Sequence, residues 1–184
     1  MKLFLTDLAD ITPDLINRYE LLLSPAEKDR YNHMTNTTRR LQFLAGRALI
    51  YENCGEAPHL SDSGKPLISK GYISLAHSGP YVALITSDTP VGLDLEDSSC
   101  VRPFDSIANR LGFSYTDQAD FYKHFTRYEA DYKLGTNGTS IHHLFYSINT
   151  FIMCISLLNN NKNIDFIKSI PFSKNTPFNP RILP

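Results

Sequence analysis

Two acidic side chains share one face of a predicted strand in the stretch PVGLDLED, Pro90 to Asp97. Because side chains alternate along a strand, Asp94 and Glu96 project to one face while the apolar residues project to the other. Carboxylates placed this way repel each other unless a cation lies between them. The pair therefore has two interpretations: it binds a divalent metal ion, or it belongs to a half-buried strand that presents acids to solvent.

A second group of charged residues follows a helical period in the segment from Thr116 to Leu134. Phe125, Glu129 and Lys133 are spaced four residues apart, which places them on one helical face. This spacing fits a surface Glu–Lys pair beside an aromatic core residue. If the face meets the strand that carries Asp94, however, three carboxylates converge in an oxygen-rich site that suits Mg²⁺. Lys133 is then placed to neutralise phosphate charge beside the metal.

Basic residues elsewhere in the chain suit a small phosphorylated ligand. Residues 24–50 contain five basic residues against two acidic ones, which predicts a local basic patch. His77 lies at the end of a strand in SLAHSG, and Lys65 lies in the turn GKP. In turns, both residue types are commonly just exposed to solvent. The five basic residues of the patch are Lys28, Arg30, Arg39, Arg40 and Arg47.

The elements that must position these residues are predicted from turn signals and hydrophobic periodicity. A helix begins at Ser24, where Pro25 and Glu27 complete a capping-box pattern, and a second helix runs from Thr38 to Cys54. A third helix covers Thr116 to Leu134, and the tail from Pro171 is predicted to be irregular. The predicted strands are KLFL, Tyr72–Ala76, Tyr81–Thr86, Val91–Glu96, HHLFYSI, TFIMCISLL and IDFIKSI.

The order of these elements predicts an α+β fold with two similar lobes. LSPAEKDRY followed by FLAGRALI resembles FSYTDQADFY followed by FTRYEADYKL, and each pair precedes a block rich in strands. We expect one lobe over residues 1–89, a second over residues 90–184, and a cleft between them. Because both half-sites lie within one chain, a monomer is expected.

Bulk properties exclude several classes of protein. The chain has 184 residues, and its longest run that is apolar except for one serine is FIMCISLL, far below the ~18 to 20 residues of a membrane span. The N-terminus lacks a basic segment followed by an apolar one, so we expect no secretion and no membrane association. Three widely spaced cysteines without metal-ligand spacing favour reduced thiols in a cytoplasm. The net charge of −1 argues against a nucleic-acid-binding protein.

The succession of LSPAEKDRY, FLAGRALI, GKP, ISLAHSG, VGLDLE and FTRYEADYKL resembles the 4'-phosphopantetheinyl transferase superfamily. The resemblance is to the larger, pseudo-dimeric branch typified by the surfactin-synthetase activator, and it extends from about Leu22 to Lys133. It implies the fold of that family, with pseudo-twofold lobes. It also implies Mg²⁺-dependent transfer of the 4'-phosphopantetheine group from coenzyme A to a serine of an apo acyl, peptidyl or polyketide carrier protein. The other product is 3',5'-ADP.

The resemblance also implies roles for individual residues. Asp94 and Glu96 match the metal-binding acids, and Glu129 matches the helical acid that completes the metal site and is a candidate base. Lys133 matches a catalytic lysine that contacts phosphate. Because the three acids lie within residues 90–184, the resemblance places the magnesium site in the second lobe. The residues that match coenzyme A contacts on the first lobe are Arg30, Arg40, Arg47, Lys65 and His77.

Three positions depart from the family pattern. Phe125 and Tyr128 stand where the family has tryptophan and lysine, and Ala76 stands where a serine often precedes the histidine. Tyr128 removes a cation close to the phosphates. A second hypothesis is therefore a catalytically lapsed relative that binds coenzyme A or a carrier protein without transfer.

Overall fold

The computed structural model describes residues 1–62, 64–135, 140–158, 163–168, 176–177 and 181–183. These residues form five α-helices and three sheets, so the chain has a mixed α and β fold compatible with the α+β class. The helices are α1 (Pro13–Glu20), α2 (Pro25–His33), α3 (Thr37–Cys54), α4 (Phe104–Leu111) and α5 (Gln118–Leu134). The strands are β1 (Lys2–Asp7), β2 (His59–Leu60), β3 (Pro66–Leu67), β4 (Tyr72–Ser78), β5 (Tyr81–Ser87), β6 (Val91–Asp97), β7 (His142–Ile148), β8 (Phe151–Leu157), β9 (Asp165–Lys168), β10 (Thr176–Pro177) and β11 (Arg181–Ile182).

Two main sheets contain most of the strands. The first has the order β10-β9-β1-β5-β4, and the second has the order β11-β7-β8-β6. All neighbours within them are antiparallel except β1 and β9, which are parallel. Strands β2 and β3 form a separate small antiparallel pair.

The two sheets share a core, and helices cover their other faces. Leu3 and Ile85 of the first sheet belong to one buried cluster with Leu93 and Leu95 of β6, which places the main core between the sheets. Helix α3 packs against the first sheet in a second cluster. The aromatic residues of α5 form a third cluster with α4 and β8. The acid pair of β6 therefore lies on the face opposite the shared core, as the alternation predicts.

Local signals in the sequence explain where the helices begin. Ser24 Oγ accepts a hydrogen bond from the Glu27 N–H, and the Glu27 carboxylate accepts one from the Ser24 N–H, so the predicted capping box is confirmed. Asn36 caps α3, which therefore begins one residue earlier than predicted. Gly55 ends α3 in the left-handed conformation, with φ of 73°.

Several elements differ from the sequence predictions. Helices α1 and α4 and the short strands β2 and β3 were not predicted. Helix α5 begins only at Gln118 because the Asp117 side chain caps it there. Strand β9 pairs with β1 and so joins the first sheet, although its residues belong to the 90–184 half of the chain. Much of the tail from Pro171, predicted as irregular, lies outside the described residues. Its described parts at residues 176–177 and 181–182 form short strands.

Among the described residues, no helix has both the length and the apolar character needed to cross a membrane.

Candidate functional site

Gly92 sets how closely α5 approaches β6. A Cβ at this position would lie 1.9 Å from the Ala130 carbonyl oxygen, which is backbone and cannot turn aside. The helix therefore packs directly on the strand where the side chain is missing. This contact places Glu129 and Lys133, the neighbours of Ala130 on α5, beside the acid pair of β6.

Asp94 is buried and is bound by the α5 lysine. Only 6% of its surface is exposed, so the alternative in which this acid faces solvent is wrong. Lys133 Nζ donates to Asp94 Oδ1 over 2.7 Å and to the Leu93 carbonyl over 3.0 Å. Lys133 of α5 therefore forms an ion pair with β6. Asp94 Oδ2 is also buried and has no hydrogen-bond partner among the described residues.

Glu96 has a cation of its own. Arg102, in the segment between β6 and α4, donates from Nη2 to Glu96 Oε2 over 2.6 Å, and Ser78 Oγ donates to the same oxygen over 3.1 Å. Burial and the charge of Asp94 raise the pKa of Glu96 to about 7, although Arg102 and Ser78 act in the opposite direction. Glu96 therefore titrates close to neutral pH.

Burial also raises the pKa of Asp94, while the charge and hydrogen bond of Lys133 lower it and the charge of Glu129 raises it. Negative charge at the acid pair is thus costly unless a cation offsets it. The unpaired Oδ2 of Asp94 and the neighbouring Glu96 fit a divalent cation, because Mg²⁺ prefers carboxylate oxygens. These two residues would hold the ion.

The acid pair opens onto a cavity of about 600 Å³. A second cavity, of about 590 Å³, lies next to it and has several lining residues in common. The first cavity contains the two carboxylates together with cations, and the second contains cations without a carboxylate among its described lining residues. Among the residues that line the first are Arg39, His77, Asp94, Glu96, Arg102 and Lys133. Among those that line the second are Arg30, Arg39, Arg47, Lys65, His77 and Lys133.

His77 lies where the two cavities meet. The Arg39 guanidinium contacts its ring, with Nη1 3.4 Å from both ring nitrogens. Burial lowers the pKa of His77, and the charges of Arg39 and Lys133 lower it further. The imidazole is therefore neutral near pH 7 and offers one donor and one acceptor, while Arg39 supplies the charge.

Lys65 and Arg47 are held in the second cavity by other parts of the protein. Lys65 Nζ donates to the Lys133 carbonyl over 2.5 Å, which ties the GKP turn to the end of α5. Arg47 forms a buried ion pair with Glu27, with Nε 2.5 Å from the carboxylate. The guanidinium groups of Arg30 and Arg47 lie 5.5 and 4.8 Å from the centre of the Phe43 ring. These contacts fix two arginines beside one cavity.

Two residues predicted for the site have other surroundings. Arg40 stacks on the Tyr31 ring at 4.4 Å and is not among the described lining residues of either cavity. Glu129 is half-buried, and its charge raises the pKa of Asp94. It is likewise not among the described lining residues of either cavity. Within the described ranges, no three His, Cys, Asp or Glu side chains are grouped to hold a metal ion. The structure therefore brings together a pair of acids, with the third acid nearby on α5.

Ser78 and Arg102 were not predicted from the sequence, and Arg39 was predicted only as a member of the basic patch. The position of Arg39 is consistent with helical spacing, because it lies seven residues before Gly46, which packs on Leu75 of β4. Arg102 follows Glu96 by six residues in a segment without regular periodicity, so no pattern marks it. Ser78 follows His77 directly, and its contact with Glu96 depends on the packing of β4 against β6.

A scan against protein-family models and a search of curated proteins found nothing that matches this chain. Function is therefore inferred from the sequence motifs and the geometry of the site.

Proposed function

We propose that the chain is a 4'-phosphopantetheinyl transferase of the larger, two-lobed branch. It would transfer the phosphopantetheine group of coenzyme A to a serine of an apo acyl, peptidyl or polyketide carrier protein. The observation that carries the proposal is one cavity lined by residues from three separate motifs. These are His77 of β4, the pair Asp94 and Glu96 of β6, and Lys133 of α5.

The connectivity of the two sheets supports the two-lobed arrangement. In the first sheet, β1 is followed by helices and then by the hairpin β4–β5, and β5 lies beside β1. In the second sheet, β6 is followed by helices and then by the hairpin β7–β8, and β8 lies beside β6. Apart from the β2–β3 pair in the first half and β9 to β11 in the second, the two halves share this order of elements, which supports the proposal. A pseudo-twofold relation of the lobes is part of the proposal.

The chemistry of coenzyme A fits the charges of the two cavities. Its 3'-phosphate and pyrophosphate need cationic contacts that are separated in space. Arg30, Arg47 and Lys65 line the second cavity, and His77 and Lys133 line both. We assign the second cavity to the nucleotide end of coenzyme A and the first to its pyrophosphate.

Asp94 and Glu96 would hold a Mg²⁺ ion, with Glu129 the third candidate ligand. When bound, Mg²⁺ supplies charge neutralisation at the pyrophosphate. A bound cation would also satisfy the unpaired Asp94 Oδ2. Lys133, freed from Asp94, would then turn its ammonium group to the phosphate oxygens in the same cavity.

The transfer needs a base for the serine and a cation that stabilises the charge on the leaving group. The carrier serine oxygen forms a bond to the phosphorus on the pantetheine side, and the bond from that phosphorus to the bridging oxygen breaks. Glu129, directly or through water, accepts the serine proton. Lys133 stabilises the charge on the 3',5'-ADP that leaves.

The test is the intact mass of apo carrier proteins after incubation with the chain, coenzyme A and Mg²⁺. Several carriers from fatty-acid, peptide and polyketide systems should be used, since the sequence does not select one. We expect a mass increase equal to one phosphopantetheine group on at least one carrier. Failure with every carrier would defeat the proposal of transfer.

A second candidate function is binding of coenzyme A or a carrier protein without transfer. The ion pairs Asp94–Lys133 and Glu96–Arg102 favour it, because both acids already have a cation as partner. Tyr128, which replaces the family's lysine, is 43% exposed on α5. Calorimetric binding of coenzyme A together with an unchanged carrier mass would establish this second function.

A further inference from the structure

We propose that Arg102 is an exchangeable counter-cation of the acid pair. It holds Glu96 in the protein alone, and a divalent cation at the pair releases its guanidinium to the phosphates of the ligand in the same cavity. This inference rests on the proposed function, because it concerns the metal and coenzyme A site described above.

The contacts of Arg102 divide into one that opposes metal binding and several that hold the guanidinium in place. Nη2 lies 2.6 Å from Glu96 Oε2. Nε donates to the Tyr122 hydroxyl over 3.2 Å, and that hydroxyl donates to the Cys100 carbonyl over 2.7 Å. The guanidinium carbon also lies 5.3 Å from the centre of the Phe125 ring and 5.8 Å from that of Tyr122.

The charges of the cluster explain why an exchange is required. Two carboxylates and two cations, paired as Asp94 with Lys133 and Glu96 with Arg102, sum to zero formal charge. A dication added to this set leaves two positive charges in excess, unless phosphate oxygens enter the cavity with it. Metal and arginine therefore compete for Glu96, whereas arginine and an anionic ligand support each other.

The surroundings of Arg102 keep it in the cavity after it leaves Glu96. Its contacts with Tyr122 and Phe125 do not depend on the carboxylate, so the side chain is held on its aromatic side in either state. Its side chain is one-third exposed, at 33%, and it lines the 600 Å³ cavity together with Lys133. Loss of the Glu96 contact would leave Nη2 free to bond a phosphate oxygen.

This exchange predicts two changes of opposite sign in Arg102→Met. The protein alone is titrated with Mn²⁺, and binding is measured by calorimetry and by the electron paramagnetic resonance of free Mn²⁺. The affinity of Arg102→Met for Mn²⁺ should be about fivefold tighter than that of the wild type, because the competing ion pair is gone. Titration with coenzyme A at saturating Mn²⁺ should show affinity weaker by about tenfold, because a charge-assisted hydrogen bond to phosphate is lost. Arg110→Met, on exposed α4 surface, makes the same change of charge and should alter neither affinity.

A purely structural role for Arg102 would weaken both affinities, and that result would overturn the exchange. Unchanged affinities would overturn it too. Tyr122→Phe removes only the hydroxyl that orients Nε, and we expect it to shift both affinities in the same two directions by about twofold. Should Arg102→Met fail to fold, the titrations of Tyr122→Phe are decisive. Unchanged affinities for Mn²⁺ and coenzyme A in that variant would refute the exchange.

Failure of the proposed function gives a different result. Wild-type protein that binds no Mn²⁺ would refute the metal site, and the exchange with it. Wild-type protein that binds Mn²⁺ and modifies a carrier, with Arg102→Met unchanged in both titrations, would refute the exchange alone.

Discussion

Asp94 is the side chain on which the proposed chemistry depends most, because it is buried with one oxygen unpaired among the described residues. Asp94→Asn keeps the shape and removes the charge that would hold a metal ion. We expect transfer to a carrier to fall by at least about 100-fold, measured by intact mass over time. The melting temperature should change little, because the neutral side chain relieves the cost of burying a charge while the ion pair with Lys133 is lost, and these two effects oppose each other.

The matched control for this change is Asp88→Asn, because Asp88 is an exposed aspartate that precedes the same strand. It should transfer like the wild type. Full activity of Asp94→Asn would remove Asp94 from the metal site and refute the assignment.

Glu96 makes stability depend on pH near neutrality. Its pKa rises from 4.5 to about 7 on folding, so the folded protein binds more protons than the unfolded chain between these values. The stabilising effect is fully present below about pH 4.5 and is lost as pH rises through 7. In metal-free buffer, Glu96→Gln should remove this loss and gain about 2 kcal/mol relative to wild type between pH 5 and pH 8.

Urea unfolding of both proteins at several pH values measures this difference. Parallel stability curves for wild type and Glu96→Gln across pH 5 to 8 would show that Glu96 titrates normally. The environment described for its carboxylate would then be incorrect.

Helix α5 reaches the acid pair because β6 has no side chain at Gly92. In Gly92→Ala the new Cβ would meet the Ala130 carbonyl oxygen, so strand and helix must separate. We expect a loss of about 3 kcal/mol in the free energy of unfolding and a large loss of transfer. Gly112→Ala is the control: it has open space but a φ of +74°, so it should cost only about 1 kcal/mol.

Thermal unfolding and the carrier mass assay give both readouts for these two variants. Equal stability losses in Gly92→Ala and Gly112→Ala would show that α5 does not pack on β6 as closely as described.

Strands β4 and β6 are joined by side chains at the boundary between the sheets. The buried Ser74 hydroxyl accepts a hydrogen bond from the Leu93 N–H over 2.9 Å. Ser74→Ala would leave that N–H without this partner, which should cost about 1 to 3 kcal/mol in urea unfolding. Ser114→Ala, at an exposed position, should cost less than about 0.5 kcal/mol. If Ser74→Ala lowers the free energy of unfolding by no more than Ser114→Ala does, the hydrogen bond does not link the two sheets as described.

The elements around the site were largely predictable, because strands β4 to β6 are separated by strong turn signals and α3 and α5 have clear helical periods. Which charged side chains form ion pairs with one another was not predictable. Glu129 and Lys133 at helical spacing suggest a pair within α5, yet Lys133 binds Asp94 because Gly92 lets the helix approach the strand. Arg102 lies in a segment without periodicity, so only the folded structure brings it to Glu96.

The molecule as a whole places two sheets around a shared core and leaves the site where β4, β6, α3 and α5 meet. The two acids, with their partners Lys133 and Arg102, line the first cavity, whereas Arg30, Arg47 and Lys65 line only the second. This separation matches a ligand with a metal-bound pyrophosphate and a distant 3'-phosphate. The return of β9 to the first sheet ties the two halves of the chain together.

A crystal structure of the protein with coenzyme A and Mn²⁺, located by its anomalous scattering, tests the site most directly. We expect Mn²⁺ bound to Asp94 and Glu96, the pyrophosphate beside Lys133, and the nucleotide end in the cavity lined by Arg30 and Arg47. Coenzyme A bound elsewhere, with both ion pairs of the acids intact and no metal between them, would contradict the proposed site.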